Sequence, residues 1–444
     1  MSFDSPSFWL FVLALWCVCQ LVRHNGARKL LLITASYLIY ASLFPAHSMG
    51  VYVLLLATVT AGSFAAVRFA KGGHRRRILL AGIWTAVGGL AAAKAWLNPL
   101  PVGLSFYVLQ AIAWMVEAYR SVPPGKEKFL DFALYMSFFS RLAAGPIVRA
   151  DEFLPQLAKR PVVDSAALWE GLTLVVFGLF KKLALADNLA LAVDPVFADL
   201  HASPSRILLA TYGFAAQIYC DFSGYSDMAL GTARLFGYRL PENFNWPYLA
   251  RNPADFWRRW HISLSNWLRD YVYFSLPGHR AKSRIPTYLN LTITMAACGL
   301  WHGFRWPYLL WGLYHGTLLA TYYAIRKPAE RSALGTLGSI FLMQQLAVIG
   351  WILFRVNRVS DLGVYVANMA GGPFFTGFSA DEWMALAVLG AVGTFHLIEP
   401  SSSFLQTMRN NRWNPWLCTI LLLIAAMTAL LSVPRQQTFL YFRF

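Results

Sequence analysis

Two histidine-containing segments carry the residue types most able to do chemistry in this chain. Residues 256–271 read FWRRWHISLSNWLRDY and place His261 among aromatic rings and arginines. Residues 299–303 read GLWHG and place His302 between an indole and a glycine at the end of an apolar run. A neutral imidazole can take a proton from a hydroxyl near pH 7, and apolar surroundings disfavour its charged form. Both segments are therefore candidates for a buried general base, although each histidine could equally be a core or interfacial residue stacked on tryptophan.

Residues near these two histidines are candidates for supporting roles. Trp301 and Ser265 are close in sequence to one histidine each, and His315 follows in the next apolar run, where it could be supporting or only structural. Arginine forks suit phosphate, so the nearby arginines could bind the phosphates of a coenzyme, or equally anchor lipid headgroups. These arginines are Arg258, Arg259 and Arg269.

Other polar residues within apolar runs favour structural roles. Asp221 and Asp227 could form a metal site, but their spacing is loose and neither His nor Cys joins them, so we predict hydrogen bonding and no metal. Lys181 and Lys182 with Asp187 could be an internal ion pair or an interfacial anchor. The sequence contains no Gly-x-Ser-x-Gly elbow and no Gly-x-Gly-x-x-Gly or Walker-type phosphate loop.

The elements that must position these residues are membrane helices. The 444 residues are 57% hydrophobic and only 13% charged, whereas soluble domains are nearer a quarter charged. The net charge of +17 comes from short basic clusters between apolar runs. That distribution is typical of loops on the positive, cytoplasmic side of a membrane and argues against nucleic acid binding. The five cysteines lie mostly in apolar runs, which indicates small buried hydrophobes.

Hydropathy predicts an all-α, polytopic protein with about ten to thirteen membrane-associated helices. The expected spans are near 7–22, 29–46, 49–70, 77–97, 101–120, 129–148, 166–186, 205–222, 284–304, 305–325, 338–356, 381–398 and 413–433. Residues 256–273 are too polar to span, and their periodicity predicts one helix lying in the interface. Basic residues follow the first and third spans, which places the N-terminus on the extracytoplasmic side, with the first span retained rather than cleaved.

Several ordered motifs carry a resemblance to a known family. The motifs run along nearly the whole chain, and the block at 256–273 is the most specific. The others are RK at 28–29, ASYLIY at 35–40, AGPI at 144–147, FKK at 180–182, YCDFSGYSDM at 219–228, ENF at 242–244, the run 299–316 and FLYFRF at 439–444. On these motifs the chain resembles the membrane-bound O-acyltransferases, specifically the bacterial branch that includes alginate and peptidoglycan O-acetylation proteins and the teichoic-acid D-alanylation protein.

The resemblance implies a fold and a set of site residues. It implies one transmembrane domain over 1–444, with tilted helices around a central funnel and a catalytic core at about 166–325. It also implies that His302 is the catalytic histidine, and that His261 lies near it and orients or polarises the acyl carbonyl.

The resemblance further implies the reaction and its setting. Acetyl-coenzyme A would be the donor, as a substrate and not a resident cofactor, and the acceptor would be an extracytoplasmic polysaccharide. An extracytoplasmic SGNH-type partner would complete the transfer, and the chain would lie in the bacterial inner membrane. D-alanyl transfer from a carrier protein, a non-catalytic acyl-group transporter or channel, and a structural assembly platform remain alternatives.

Overall fold

The chain is α-helical throughout its described part. The computed structural model describes residues 3, 5–97, 100–120, 127–199, 201–278, 284–325, 332–371 and 373–398, and positions 419, 420, 423, 424, 427 and 440. Within these residues there are α-helices, short 3-10 turns and one π-helical stretch, and no β-strand. The all-α prediction is therefore confirmed.

The described residues divide into two compact units. The first comprises Met1–Val176 and Tyr225–Glu242, and the second comprises Phe177–Gly224 and Asn243–Phe444. The sequence predicts a single domain over 1–444 with a core at 166–325. That prediction concerns both units together, and it stays a prediction.

The first five helices of the first unit coincide with the five spans predicted between residues 7 and 120. The helices of this unit are α1 (Pro6–Leu21), α2 (Asn25–Ala41), α3 (Ala46–Phe69), α4 (Arg75–Trp96), α5 (Leu104–Arg120), α6 (Phe129–Ser137), α7 (Phe139–Leu142), α8 (Ala150–Phe153) and most of α9 (Ser165–Leu179). The second unit begins with the π-helical stretch Phe180–Ala186. Its further helices are α10 (Asp187–Ala198), most of α11 (Pro204–Leu235), α12 (Pro253–Trp257), α13 (Ile262–Tyr271), α14 (Ile285–His302), α15 (Trp306–Ile325), α16 (Ala333–Arg355), α17 (Ser360–Ala370) and α18 (Ala380–Ile398).

Three segments of the described chain are long and apolar enough to cross a membrane. They are α3, the segment Gly72–Trp96 that contains α4, and α16, with mean hydropathy of 1.9, 1.6 and 1.8 in their most apolar windows. Only 22%, 11% and 33% of these windows is buried inside the protein. Apolar helices that are so little covered by protein are suited to contact with lipid. The remaining predicted spans stay predictions.

Four sequence expectations differ from the structure. The predicted continuous helix over 129–148 is wrong, because the chain breaks at Phe138 between α6 and α7 and leaves helical geometry after Leu142. The span expected at 205–222 extends through α11 to Leu235, and α17 was not anticipated. The single interfacial helix over 256–273 is also wrong, because the chain forms two short helices, α12 and α13. The span expected at 413–433 lies largely outside the described residues.

The cysteines are free thiols in the described part of the chain. Cys19, Cys220 and Cys298 are buried, as the sequence predicts for small hydrophobes. Cys17 is exposed, contrary to that prediction, and Cys418 lies outside the described residues.

Glycines bring α14 and α15 into backbone contact. A Cβ at Gly312 would lie 2.3 Å from the carbonyl oxygen of Met295, and one at Gly299 would lie 2.1 Å from that of Tyr308. Gly316, one turn after Gly312, would place a Cβ 2.7 Å from the Cα of Thr292. Small residues four apart allow membrane helices to approach this closely. The pair therefore has a fixed register, and α14 ends at His302 against the side chains of α15.

A buried ion network joins the π-helical stretch to α11 within the second unit. Lys182 Nζ lies 2.8 Å from a carboxylate oxygen of Asp187 and 2.8 Å from one of Asp221. Lys181 Nζ donates a hydrogen bond of 3.0 Å to Ser223 Oγ. Because consecutive residues on an α-helix point about 100° apart, the wider π turn helps both lysines face inward. The internal ion pair considered from the sequence is confirmed.

Candidate active site

His302 lies in an aromatic cage at the C-terminal end of α14. Its ring centroid is 4.9 Å from Trp301, 5.3 Å from Trp311 of α15 and 5.0 Å from Phe354 of α16. The rings of Trp311 and Phe354 are nearly perpendicular to the imidazole, with interplanar angles of 90° and 84°. His302 is 7% exposed. The imidazole is therefore enclosed by aromatic side chains from α14, α15 and α16.

His261 lies at the break between α12 and α13 and has an unusual backbone. Its φ of 42° and ψ of 55° fall in the left-handed region, which costs a non-glycine residue roughly 1–2 kcal/mol. The same residue is buried, with 1% exposure. Burial lowers the pKa of His261 to about 3, so the ring is neutral at physiological pH. A strained and buried histidine requires compensating contacts to hold it.

Asn243 provides those contacts from a distant part of the sequence. Its Oδ1 accepts hydrogen bonds from the Ser263 N–H at 3.2 Å and the Ser263 hydroxyl at 2.9 Å, and its main-chain oxygen accepts from the Ile262 N–H at 2.9 Å. Asn243 thus caps two of the N–H groups left unsatisfied at the start of α13. The same Oδ1 lies 3.1 Å from His261 Nδ1.

The bond to Asn243 assigns the tautomer of His261. Since Oδ1 of an amide can only accept, Nδ1 of His261 must carry the proton that it donates. In the neutral ring, Nε2 then presents a lone pair. The ring of Phe222 packs against the same imidazole at 4.7 Å and 88°. These contacts hold His261 with Nε2 as a hydrogen-bond and proton acceptor.

Two tryptophans connect the three candidate histidines. Trp301 lies 6.3 Å from His261 and 4.9 Å from His302, centroid to centroid. Trp311 lies 5.3 Å from His302 and 5.1 Å from His315. His261, His302 and His315 are thus each separated from the next by one indole ring, all within the second unit. The structure brings these sequence-predicted residues together.

His315 occupies the far end of this ring series and is packed tightly. It is 1% exposed, and its ring lies 5.2 Å from Trp257. A Cβ added to Gly350 of α16 would lie 2.6 Å from His315 Nε2, so only glycine leaves room there. Neither ring nitrogen has a hydrogen-bond partner among the described residues. Its packing favours a role in shaping the aromatic cage rather than direct contact with a substrate.

The three candidate arginines differ in how far they are engaged within the protein. Arg259 binds Asp255 at 3.0 Å and the Asn245 carbonyl oxygen at 3.2 Å. Arg269 makes two hydrogen bonds to Asp270, of 2.7 and 3.0 Å. Arg258 is 70% exposed and lies 4.0 Å from Asp255. Arg258 is therefore the most available of the three to an external phosphate.

The remaining predicted residue, Ser265, has a structural contact. Its hydroxyl donates to the carbonyl oxygen of Trp260 at 3.2 Å, across the break between α12 and α13. The apolar and aromatic side chains of this region lie in the core: Phe256, Trp260, Leu264, Trp267 and Tyr271 are buried.

Sequence reasoning missed two contributors to the site. Asn243 appears in the sequence only as the centre of the ENF motif at 242–244, and its contacts with α13 cross 18–20 residues. Phe354, at the end of α16, contacts His302 although no motif includes it. Hydropathy alone could not single out either residue, because each acts through a contact that only the fold creates.

Comparison with known proteins supports the motif assignment. The sequence profile of the membrane-bound O-acyltransferase family matches residues 117–343, just over half of the chain. The chain is 36% identical over 382 residues to the probable alginate O-acetylase of Azotobacter vinelandii, covering 81% of this chain and 76% of that protein.

Two further relatives have different acceptors in their names. The peptidoglycan O-acetyltransferase of Helicobacter pylori is 34% identical over 70% of this chain and 61% of its own length. The teichoic acid D-alanyltransferase of Bacillus subtilis is 28% identical over 50% of this chain and 58% of its own length. The matched region 117–343 contains His261, His302 and His315.

Proposed function

Because the chain belongs to the membrane-bound O-acyltransferase family, and is thus a membrane acyltransferase, we propose that it transfers acetyl groups from acetyl-coenzyme A toward an extracytoplasmic polysaccharide. The acetyl group and the polysaccharide class rest on the names of the relatives, of which several are O-acetylation proteins. The site residues rest on the geometry of the second unit. Coenzyme A is a substrate in this proposal and not a resident cofactor.

The observation that carries the proposal is the position of His302 in its aromatic cage, one indole away from His261. His302 is 7% exposed and contacts Trp311 and Phe354 edge to face. A base that acts on a hydroxyl must be unprotonated, and an apolar cage favours that state. The sequence motif and the burial of the side chain both support His302 as the candidate base.

The proposed reaction is a direct acyl transfer with His302 as general base. A ring nitrogen of His302 takes the proton of the acceptor hydroxyl while the alcohol oxygen bonds to the thioester carbonyl carbon. The tetrahedral intermediate collapses by breaking the C–S bond. The leaving coenzyme A thiolate takes the proton back from the imidazolium, which regenerates the neutral base.

His261 acts in this scheme as an acceptor. Its Nδ1–H is committed to Asn243, so its Nε2 can accept a hydrogen bond from a substrate group but cannot donate one while the ring is neutral. The role of polarising the acyl carbonyl would require the charged ring, which burial disfavours. We therefore assign to His261 the orientation of the acceptor hydroxyl or of a donor amide N–H.

The two substrates reach the site from opposite faces of the membrane in this proposal. Acetyl-coenzyme A is made in the cytoplasm, and Arg258 is the arginine most available to its phosphates. The acceptor side is extracytoplasmic, with the N-terminus on that side of a bacterial inner membrane. In this proposal an extracytoplasmic SGNH-type partner receives the group and passes it to the polymer.

The test is purified protein with acetyl-coenzyme A and a soluble acceptor alcohol or the partner. The expected result is loss of thioester cleavage by about 10³-fold or more in His302→Gln, with unchanged yield and thermal stability, because a general base contributes roughly 10²–10⁴-fold. His47→Gln is the matched control, because this exposed histidine lies at the start of α3 in the other unit.

Each rival function has its own outcome in the same experiment. A transporter or an assembly platform would cleave no thioester, either as the parent protein or as His302→Gln. An enzyme specific for D-alanyl transfer would ignore acetyl-coenzyme A and consume a D-alanyl carrier-protein thioester. Wild-type turnover of acetyl-coenzyme A that persists in His302→Gln would overturn the assignment of the base.

A further inference from the structure

An apolar cleft of about 640 Å³ lies between α3, α4 and α5 in the first unit. Its walls are almost entirely hydrocarbon, with small residues along the helices that form it. Gly62 and Ala66 line it from α3, Gly82 and Gly89 from α4, and Val108 and Met115 from α5. The volume of the cleft is about twenty times the ~30 Å³ that a water molecule occupies in the liquid. A methylene group is of similar size to a water molecule, so the cleft has room for an acyl chain.

The cleft opens on the surface of two of the membrane-span candidates. Gly62, Thr85 and Gly89 are exposed residues of its lining, and no atom lies within 4 Å of a Cβ built on Gly62 or Gly89. The surroundings of a membrane-spanning helix are lipid hydrocarbon. The cleft therefore faces the acyl chains of the lipid.

The length of the cleft is closer to one leaflet of a bilayer than to the full hydrocarbon thickness. Its lining runs from Leu55 to Ala66 on α3, and from Gly82 on α4 to Leu97, the residue that follows α4. At 1.5 Å per residue these stretches are about 16 and 22 Å long. The hydrocarbon core of a bilayer is about 30 Å thick, so one leaflet is about 15 Å. A lipid tail fits this length, whereas a partner's transmembrane helix would require a groove along the full thickness.

One end of the cleft is strongly basic. Arg68 follows Ala66 on α3 by two residues, and Lys71 and the three arginines that begin α4 come next: Arg75, Arg76 and Arg77. Arg75 donates to the Ala118 carbonyl at the end of α5, and Arg76 lies 5.8 Å over the ring of Tyr119. Glu117, one residue before Ala118 on α5, carries a negative charge.

We propose that this cleft is a binding site for an anionic phospholipid, with an acyl chain between α3, α4 and α5 and the phosphate headgroup among the basic residues 68–77. Each lysine or arginine near a membrane surface favours anionic lipid, and anionic lipids are concentrated in the cytoplasmic leaflet. The basic end therefore belongs on that side, which agrees with the orientation expected from the loops.

Gly88 and Gly89 offer a matched pair of variants for the test. Both are exposed, and both have open space where a Cβ would project, but only Gly89 lines the cleft. Each glycine is replaced by leucine, and the proteins are purified in detergent with equal amounts of phosphatidylglycerol and phosphatidylcholine of identical chains. Bound lipid is counted by native mass spectrometry.

The parent protein and Gly88→Leu are expected to retain phosphatidylglycerol over phosphatidylcholine by about tenfold, and Gly89→Leu is expected to lose the bound lipid. The double variant Arg76→Gln with Arg77→Gln should bind lipid with the preference reduced several-fold.

Equal retention of the two lipids by the parent would overturn the headgroup assignment. Retention in Gly89→Leu equal to that in Gly88→Leu would overturn the site. A polypeptide that co-purifies with Gly88→Leu and is lost from Gly89→Leu, with lipid content unchanged, would instead assign the cleft to a partner helix.

Discussion

Lys182 lies between two buried carboxylates, and removing its charge should destabilise the protein severely. The side chains of Lys182 and Asp221 are each 4% exposed and that of Asp187 is 11% exposed. At 2.8 Å and an effective dielectric constant of about 20, each pair attracts by about 6 kcal/mol before desolvation. Breaking a buried pair costs about 3–5 kcal/mol, because the remaining charges are left uncompensated. We expect Lys182→Met to lower the free energy of unfolding by about that amount.

The measurement is thermal and denaturant unfolding of the detergent-solubilised protein, with Lys159→Met as control because Lys159 is exposed. A compensating variant carries Lys182→Met together with Asp187→Asn and Asp221→Asn, and it should recover most of the stability because no unpaired charge remains. The reasoning is refuted if Lys182→Met unfolds within about 0.5 kcal/mol of Lys159→Met, the range typical of surface substitutions.

Three further outcomes follow from the site. Burial lowers the pKa of His261 to about 3, so the folded protein keeps this ring neutral while the unfolded chain takes up a proton below its pKa near 6.5. The stabilising contribution is therefore complete above pH 6.5 and is lost as pH falls, by about 2 kcal/mol between pH 7.5 and 5. In His261→Gln the free energy of unfolding should lack this part of its dependence on pH. Gly312→Val should lower yield and melting temperature, since a Cβ there would lie 2.3 Å from the Met295 carbonyl oxygen, and normal stability would show that the helices are not held in such close contact. Arg258→Gln should raise KM for acetyl-coenzyme A about tenfold with kcat unchanged. Arg269→Gln should change KM little, because Arg269 is bound to Asp270. Equal effects of the two variants would contradict the assignment of Arg258 to the coenzyme A phosphates.

The break between α12 and α13 is where the periodicity of the sequence misleads most. Residues 256–273 have aromatic residues at helical spacing, and the pattern predicts one continuous amphipathic helix. The structure interrupts it at His261, with φ of 42°, because Asn243 caps α13 from outside the segment. A remote cap adds hydrogen bonds that outweigh local propensity, and no window of neighbouring residues contains that information.

The amino-acid sequence by itself determined the helical membrane class and the family, and it singled out two histidines as candidates, because hydropathy and short motifs are local properties of the chain. Only the tertiary structure decided the tautomer of His261, the partners of Lys182 and the apolar cleft beside the basic end of α4. Each of these depends on groups brought together from distant positions, such as Lys182 and Asp221. Distance in space sets the strength of a hydrogen bond or an ion pair, and the order of residues along the chain does not state that distance.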